Sequence, residues 1–250
     1  MKQYQLPVMT DAQANAALDR AVEQVRINLP LYTEKCQNHS SVDGIYPACE
    51  NVQWTCGFWP GEVWLSYERT GDDAFRACAQ MLVESFADRI ERKIEVDHHD
   101  MGFLYSPSCV AAYKLTGSEQ GKRAAILAAD QLISRFQPKG EFIQAWGAMG
   151  APENYRYIID CLLNLPLLYW ASEVTGDAKY ADIAHRHITT CLANSFRADG
   201  STYHTFFMNP DGTPSHGATC QGYKDDSFWA RGQACLLYTS PSPRDSTSSR

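Results

Sequence analysis

"YERTGDDAF", residues 67–75, places an apolar stretch and an amphipathic one on either side of a single glycine. The phrase returns as "YKLTGSEQG" at 113–121 and as "SEVTGDAKY" at 172–180, so Thr70, Thr116 and Thr175 mark equivalent places in a repeat. The chemistry is that of a tight helix-to-helix turn. Gly71, Gly117 and Gly176 suit the left-handed residue that ends a helix, and Asp72, Ser118 and Asp177 suit the N-cap of the next. Each turn is followed by helical period, as in Phe75, Cys78, Leu82 and Phe86 or in Tyr180, Ile183, Ala184, His187 and Cys191. The segments before the turns, "GFWPGEVWLSY", "FLYSPSCVAAY" and "IIDCLLNLPLLYWA", are apolar on most sides. Helices buried all round that alternate with helices wet on one side imply an inner and an outer ring. The predicted fold is therefore all-α, a toroid of helical hairpins. Thr10 with Gln13 predicts a capping box for a first helix carrying Ala14, Leu18, Val22 and Val25.

The 250 residues suffice for one domain with a sizeable core. A net charge of −7 argues against a nucleic-acid or anionic-membrane surface, because either would want a basic face. The nine cysteines form no Cys-x-x-Cys pair and read as reduced thiols. "MKQYQLPVMTDAQ" lacks the apolar core of a signal peptide, and the most apolar stretch, 158–171, is broken by Asp160, Asn164 and Pro166. The expectation is a cytoplasmic protein with neither nucleic-acid nor membrane partners. Its oligomeric state is left open.

A toroid gathers the loops that enter its inner helices at one end, and those loops hold the unusual residues. They are "ENVQWTCGFWPG" at 50–61, "DHHDMGFLY" at 97–105 and "IQAWGAMGAPENYRYIID" at 143–160. Trp54, Phe58, Trp59 and Trp146 fall there, where aromatics either stack on sugar faces or fill the rim of a core. The cluster His98, His99, Asp100 is open to three chemistries: a solvated loop, a metal site, or half of an acid/base pair. With His204 it lacks the usual helical spacing of metal ligands, so no metal is expected. His187, on the apolar stripe of its helix, reads as a core histidine. Asp160 sits among Ile158, Ile159, Cys161, Leu162 and Leu163, where an ionised carboxylate is costly unless paired, so its pKa should rise. It is either a buried hydrogen-bond acceptor or a proton-loaded acid. With Asp100 at the same mouth, two carboxylates that resist simultaneous ionisation would supply what a glycoside-cleaving enzyme needs.

"WTCGFWPGEVWLSYERTGD" (54–72), "HHDMGFLYSPS" (98–108), "NYRYIIDCLLNLPLLYWAS" (154–172), "TYHTFF" (202–207) and "HGATCQGYKDDSFWARGQA" (216–234), in this order, resemble the unsaturated glucuronyl hydrolases, glycoside hydrolase family 88. The resemblance runs from about residue 10 to Ala234. It implies an (α/α)6 barrel and hydration of the 4,5-double bond of the non-reducing unsaturated glucuronic acid in lyase-cut glycosaminoglycans. It also implies Asp160 as acid/base and Asp100 as the second carboxylate. Trp54, Phe58 and Trp146 match a sugar-stacking wall, and His99, His204, Gln221 and Arg231 match polar substrate contacts; no cofactor is implied. Unsaturated rhamnogalacturonyl hydrolases share the toroid and the aspartates and form the nearest alternative, and a sugar-binding toroid without catalysis is another.

The likeness breaks at Cys235, where a substrate-side Trp is expected. The Ser/Pro/Thr-rich 235–250, with "LLYTSPSPRDS" resembling translated sequencing adapter, reads as an unstructured non-native tail. Residues 1–234 are then a partial barrel. Eight helical segments can be read, the last near 224–234, where six hairpins need twelve, so inner-helix flanks should be exposed.

Overall fold

In the computed structural model, which describes residues 9–232 and 234, each Thr-Gly phrase closes a helical hairpin. The helices are α1 (Asp11–Tyr32), α2 (Phe58–Thr70), α3 (Asp73–Glu91), α4 (Met101–Tyr105), α5 (Ala111–Thr116), α6 (Glu119–Ile133), α7 (Leu165–Thr175) and α8 (Lys179–Asn194). A π-turn, Ser106–Val110, joins α4 to α5 in one rod, and a 3-10 segment, Ile159–Asn164, leads into α7. Gly71, Gly117 and Gly176 hold φ of 69°, 71° and 71°, the left-handed conformation that a Cβ disfavours. Asp72 accepts the Ala74 N–H and Ser118 the Gly121 N–H. Asp177 accepts the Lys179 N–H, although the formal N-cap of α8 is Ala178. The threonines explain their own recurrence. Thr70 and Thr175 donate to the Ser66 and Ala171 carbonyls and accept the Asp72 and Asp177 N–H groups, which ties the helix end to the next cap. The Thr10–Gln13 capping box is present at the start of α1.

α3 and α6 each bury one stripe, Phe75 to Ile90 and Gly121 to Leu132, and lie against one another, while α2 packs on α3 and α7 on α8. Trp59, Val63 and Trp64 of α2 and Leu165, Leu167 and Leu168 of α7 fill the core. The inner helices are not buried all round, however. Leu65 of α2 is 65% exposed and Tyr169 of α7 is 44% exposed, and α1 presents Leu18, Ile27 and Leu31 outward. Among the described residues, Leu18 and Leu65 line one open groove between α1 and α2.

Short antiparallel strands interrupt the all-α framework in the connecting loops. β1 (Cys36–Gln37) pairs with β2 (Ala48–Cys49), and β3 (Phe136–Gln137) pairs with β4 (Phe142–Ile143). β5 (Arg156–Ile158), β6 (Thr205–Met208) and β7 (Pro214–Ala218) form a three-stranded sheet. This sheet aims the site, because β5 runs directly into the segment that carries Asp160. Backbone bonds finish the assembly: His99 N–H to Ala145 (2.9 Å), Ala145 N–H to Arg156 (3.0 Å) and Ile159 N–H to His204 (2.9 Å). They draw three loops and the sheet to one mouth. There Gly102 approaches so closely that a Cβ would lie 2.3 Å from Asn164 Cα.

The last expected helix is helical at Ala230 to Gly232. Cys235 and the tail 235–250 lie outside the described residues. Among the described residues no helix is long and apolar enough to cross a membrane.

Candidate active site

Asp100 precedes α4, and Asp160 lies in the first turn of the 3-10 segment, so each carboxylate stands at the entry of an inner helix. The close pass of Gly102 against Asn164 brings those entries together, and the Asn164 side-chain oxygen locks them by accepting the Phe103 N–H at 2.9 Å. Between the carboxylates lies the His99 imidazole, 2% exposed, with Nε2 3.3 Å from Asp100 Oδ1 and 3.8 Å from Asp160 Oδ1. His98 Nδ1 stands 3.1 Å from Asp100 Oδ2 on the far side. Burial pushes the Asp160 carboxyl above the ordinary aspartate value; His99 and Arg231 oppose the rise, and the Asp100 charge adds to it. Burial acts in the same direction on Asp100, but His99, His98 and Arg231 outweigh it and hold that carboxyl below the ordinary value. The pair is thus split, one member favouring its proton and the other its charge. Asp160 Oδ1 and His99 Nδ1 are buried with no hydrogen-bond partner among the described residues.

The carboxylates open onto a cavity of about 160 Å³. Trp54, Trp146, His204, Gln221 and Arg231 line it together with His99, Asp100 and Asp160, as do Ile158 and Cys220, which sequence reading did not single out. Phe58 does not line it. Its ring meets Trp54 edge-on at 6.3 Å and, 43% exposed, lines the neighbouring groove. Trp59 is core and donates its indole N–H to the Tyr32 carbonyl.

Around the rim, His204 Nδ1 accepts the Cys220 and Gln221 N–H groups at 2.9 and 3.2 Å. Its other nitrogen therefore carries the proton. Burial, then the Arg231 charge, bring His204 down to about 4, so the ring is a neutral N–H donor near neutral pH. Arg231 donates to Gln221 Oε1 at 3.0 Å and lies over Trp229 and Trp54, at 4.1 and 5.2 Å from the ring centres. Among the described residues it pairs with no carboxylate. Trp229, inside the 216–234 motif but not singled out from it, also packs on His204 at 4.3 Å between ring centres.

Cys161, His187 and Cys191 form a second, fully buried cluster with metal-ligand chemistry. His187 Nδ1 accepts the Ile143 N–H at 3.0 Å, which leaves Nε2 protonated and without the lone pair that a metal requires. The cluster acts as a hydrogen-bonded core polar group.

Residues 31–242 match Glycosyl Hydrolase Family 88. The chain belongs to that family. This family 88 chain is 47% identical over 238 residues to the unsaturated chondroitin disaccharide hydrolase of Streptococcus pneumoniae, covering 95% of this chain and 60% of that protein. It is similar in structure to the unsaturated glucuronyl hydrolase of Streptococcus agalactiae, with a TM-score of 0.91 at 44% identity over 94% of this chain and 59% of the other. An Asp→Asn variant of the S. agalactiae enzyme, complexed with dGlcA-GalNAc6S, matches with a TM-score of 0.79 at 38% identity over 94% and 57% of the two chains. A second Asp→Asn variant of that enzyme is also solved, and the interval between the two substituted aspartates equals that between Asp100 and Asp160. The chain spans about six tenths of the length of these relatives. The family match continues past Cys235, into the segment expected to be non-native.

Proposed function

We propose that the protein to which this chain belongs hydrates the 4,5-double bond of the unsaturated glucuronic acid at the non-reducing end of lyase-cut glycosaminoglycans. One observation carries this: two buried carboxylates flank one imidazole with their pKa values pushed apart. Protonating the carbon of a vinyl ether needs a carboxyl that holds its proton more tightly than an ordinary aspartate, and burial shifts Asp160 in that direction. Asp160 gives its proton to C4, and the cationic C5 bonds a water oxygen whose proton returns to the Asp160 carboxylate. The C5 hemiketal opens to a ketone and the neighbouring sugar leaves, with one water consumed. Asp100 stays ionised, accepts sugar hydroxyls and sustains the raised pKa of Asp160.

Trp54 and Trp146 offer sugar-stacking faces, and neutral His204 offers its Nε2–H. Arg231, held by Gln221, is the cation for the uronate carboxylate. The similarity to unsaturated chondroitin disaccharide hydrolases and the dGlcA-GalNAc6S bound by one relative support a chondroitin-type disaccharide over a rhamnogalacturonan fragment. The free cysteines accord with the cytoplasm.

The conjugated double bond absorbs ultraviolet light, so turnover is followed as decay. Unsaturated chondroitin disaccharide should react and the rhamnogalacturonan analogue should not, and Asp160→Asn should slow decay by roughly 10²–10⁴-fold. Equal decay with Asp160→Asn would remove Asp160 from the mechanism. A preference for the pectin fragment would reassign the substrate.

A further inference from the structure

Trp146 reaches the cavity from a loop whose backbone is tied down. Gln144, fully buried, donates its side-chain N–H groups to the carbonyls of Trp146 (3.2 Å), Gly147 (3.4 Å) and Ala148 (2.9 Å). Arg135 donates to the Gly147 carbonyl as well, at 3.1 Å. These bonds fix the main chain and leave the two side-chain torsions of Trp146 to be settled by packing. Among the described residues its indole N–H has no acceptor, so the ring is placed by what it touches. It meets His99 edge-on, with ring centres 6.1 Å apart. Over its face lies the guanidinium of Arg156, 4.8 Å from the ring centre.

The sheet explains why Arg156 is there. Its register sets Arg156 of β5 opposite Phe207 of β6, and Phe207 opposite His216 of β7, so the three side chains share one face. Phe207 and His216 stack with centres 4.9 Å apart and planes 7° from parallel, and the guanidinium also lies over Phe207, at 5.2 Å. Alternation along β5 turns Tyr157 the other way, into the core, and returns Ile158 to the face of Arg156, where it lines the cavity. Arg156 is half-buried, its Nε is buried without a hydrogen-bond partner, and among the described residues it pairs with no carboxylate. A guanidinium set between two aromatic rings instead of against an anion is held by stacking and by attraction to the ring faces.

We propose that Arg156 is a positioning residue for substrate binding: braced by Phe207 and His216, it holds the Trp146 indole with one face toward the cavity and its edge on His99. Arg156 does not itself line the cavity and acts only through the ring. The proposal rests on the reading of Trp146 as a sugar-stacking wall. A ring ordered before the sugar arrives spares the ordering cost at binding. That gain is the same in the ground state and the transition state, so it belongs to KM and leaves kcat alone. The three-stranded sheet thereby serves the site twice: the end of β5 leads to Asp160, and its start sets Trp146.

Arg156→Met keeps the length of the side chain and removes its charge and its planar group. In this chain, nuclear Overhauser contacts between the Trp146 and His99 rings, with Trp146 assigned through Trp146→Phe, should be present in the wild type and lost in Arg156→Met. In a protein extended to the relatives' length, Arg156→Met should raise KM for unsaturated chondroitin disaccharide by roughly 3–30-fold. Its kcat should change by less than about twofold, and the substitution should add nothing in a Trp146→Ala background. Phe207→Leu, which removes the brace without touching Trp146, should act in the same direction and serves if Arg156→Met does not fold. Ring contacts that survive both substitutions, a KM rise undiminished in Trp146→Ala, or a loss confined to kcat would overturn the proposal. Absence of turnover in the extended wild type would instead reject the sugar-wall reading, and the ring contacts would still decide whether Arg156 sets Trp146.

Discussion

Asp160 draws its behaviour from its immediate neighbours, Ile158, Ile159 and Cys161, and the same burial that raises its pKa makes it a stability liability once ionised. Because its folded pKa lies above the unfolded value, stability is fully present below the unfolded value and is lost as pH rises through the folded one. Asp160→Asn should therefore raise Tm relative to wild type at neutral pH while slowing turnover as above, with the Tm difference shrinking toward the acid end. A Tm difference that grows on acidification would contradict the raised pKa. Asp100 has the opposite sign: its stabilisation is present above the unfolded value and lost as pH falls through the depressed one. Activity should accordingly fall on the acid side as Asp100 protonates and on the alkaline side as Asp160 ionises, which a kcat/KM profile reads directly. Asp160 was legible as a carboxylate inside an apolar run. That Phe58 lines the adjoining groove rather than the carboxylate cavity was not, since pattern places an aromatic near a mouth without saying which cavity its ring meets.

At the scale of the element, the Thr-Gly turns were readable because their chemistry is local: cap, left-handed glycine and next cap fall within three residues. The three-residue β5 was not, since period-two alternation needs a longer run to show, and its partner β6 lies far along the chain. The glycines separate two kinds of constraint. Gly71 meets no atoms within 4 Å of an added Cβ but sits at φ 69°. Gly71→Ala should cost about 1 kcal/mol by denaturant unfolding and leave substrate kinetics alone. Gly102→Ala instead drives a Cβ into Asn164 backbone, costing about 1–3 kcal/mol and moving Asp100 relative to Asp160. Its kcat should fall far more than its stability explains, and equal effects in the two variants would deny that this contact sets the carboxylate pair.

For the whole molecule, the exposed Leu18, Ile27, Leu31, Leu65 and Tyr169 and an apolar groove of about 380 Å³ between α1 and α2 accord with a chain six tenths the length of its relatives. We propose that residues 1–234 are a partial barrel whose open flank a longer protein covers. This chain should bind a hydrophobic dye and self-associate, and a chain extended to the relatives' length should do so less; equal dye binding would assign those faces another role. Sequence periodicity revealed the inner and outer helices but not which inner faces would lack neighbours, because that depends on the number of hairpins present.

The most direct measurement follows ultraviolet absorbance and release of the neighbouring sugar together, on an unsaturated chondroitin disaccharide in deuterated water with the extended protein. Vinyl-ether hydration predicts that absorbance vanishes in step with sugar release and that deuterium appears at C4. Sugar released with the double bond and its absorbance intact would mean attack at the anomeric carbon, and would contradict Asp160 as the acid that protonates C4.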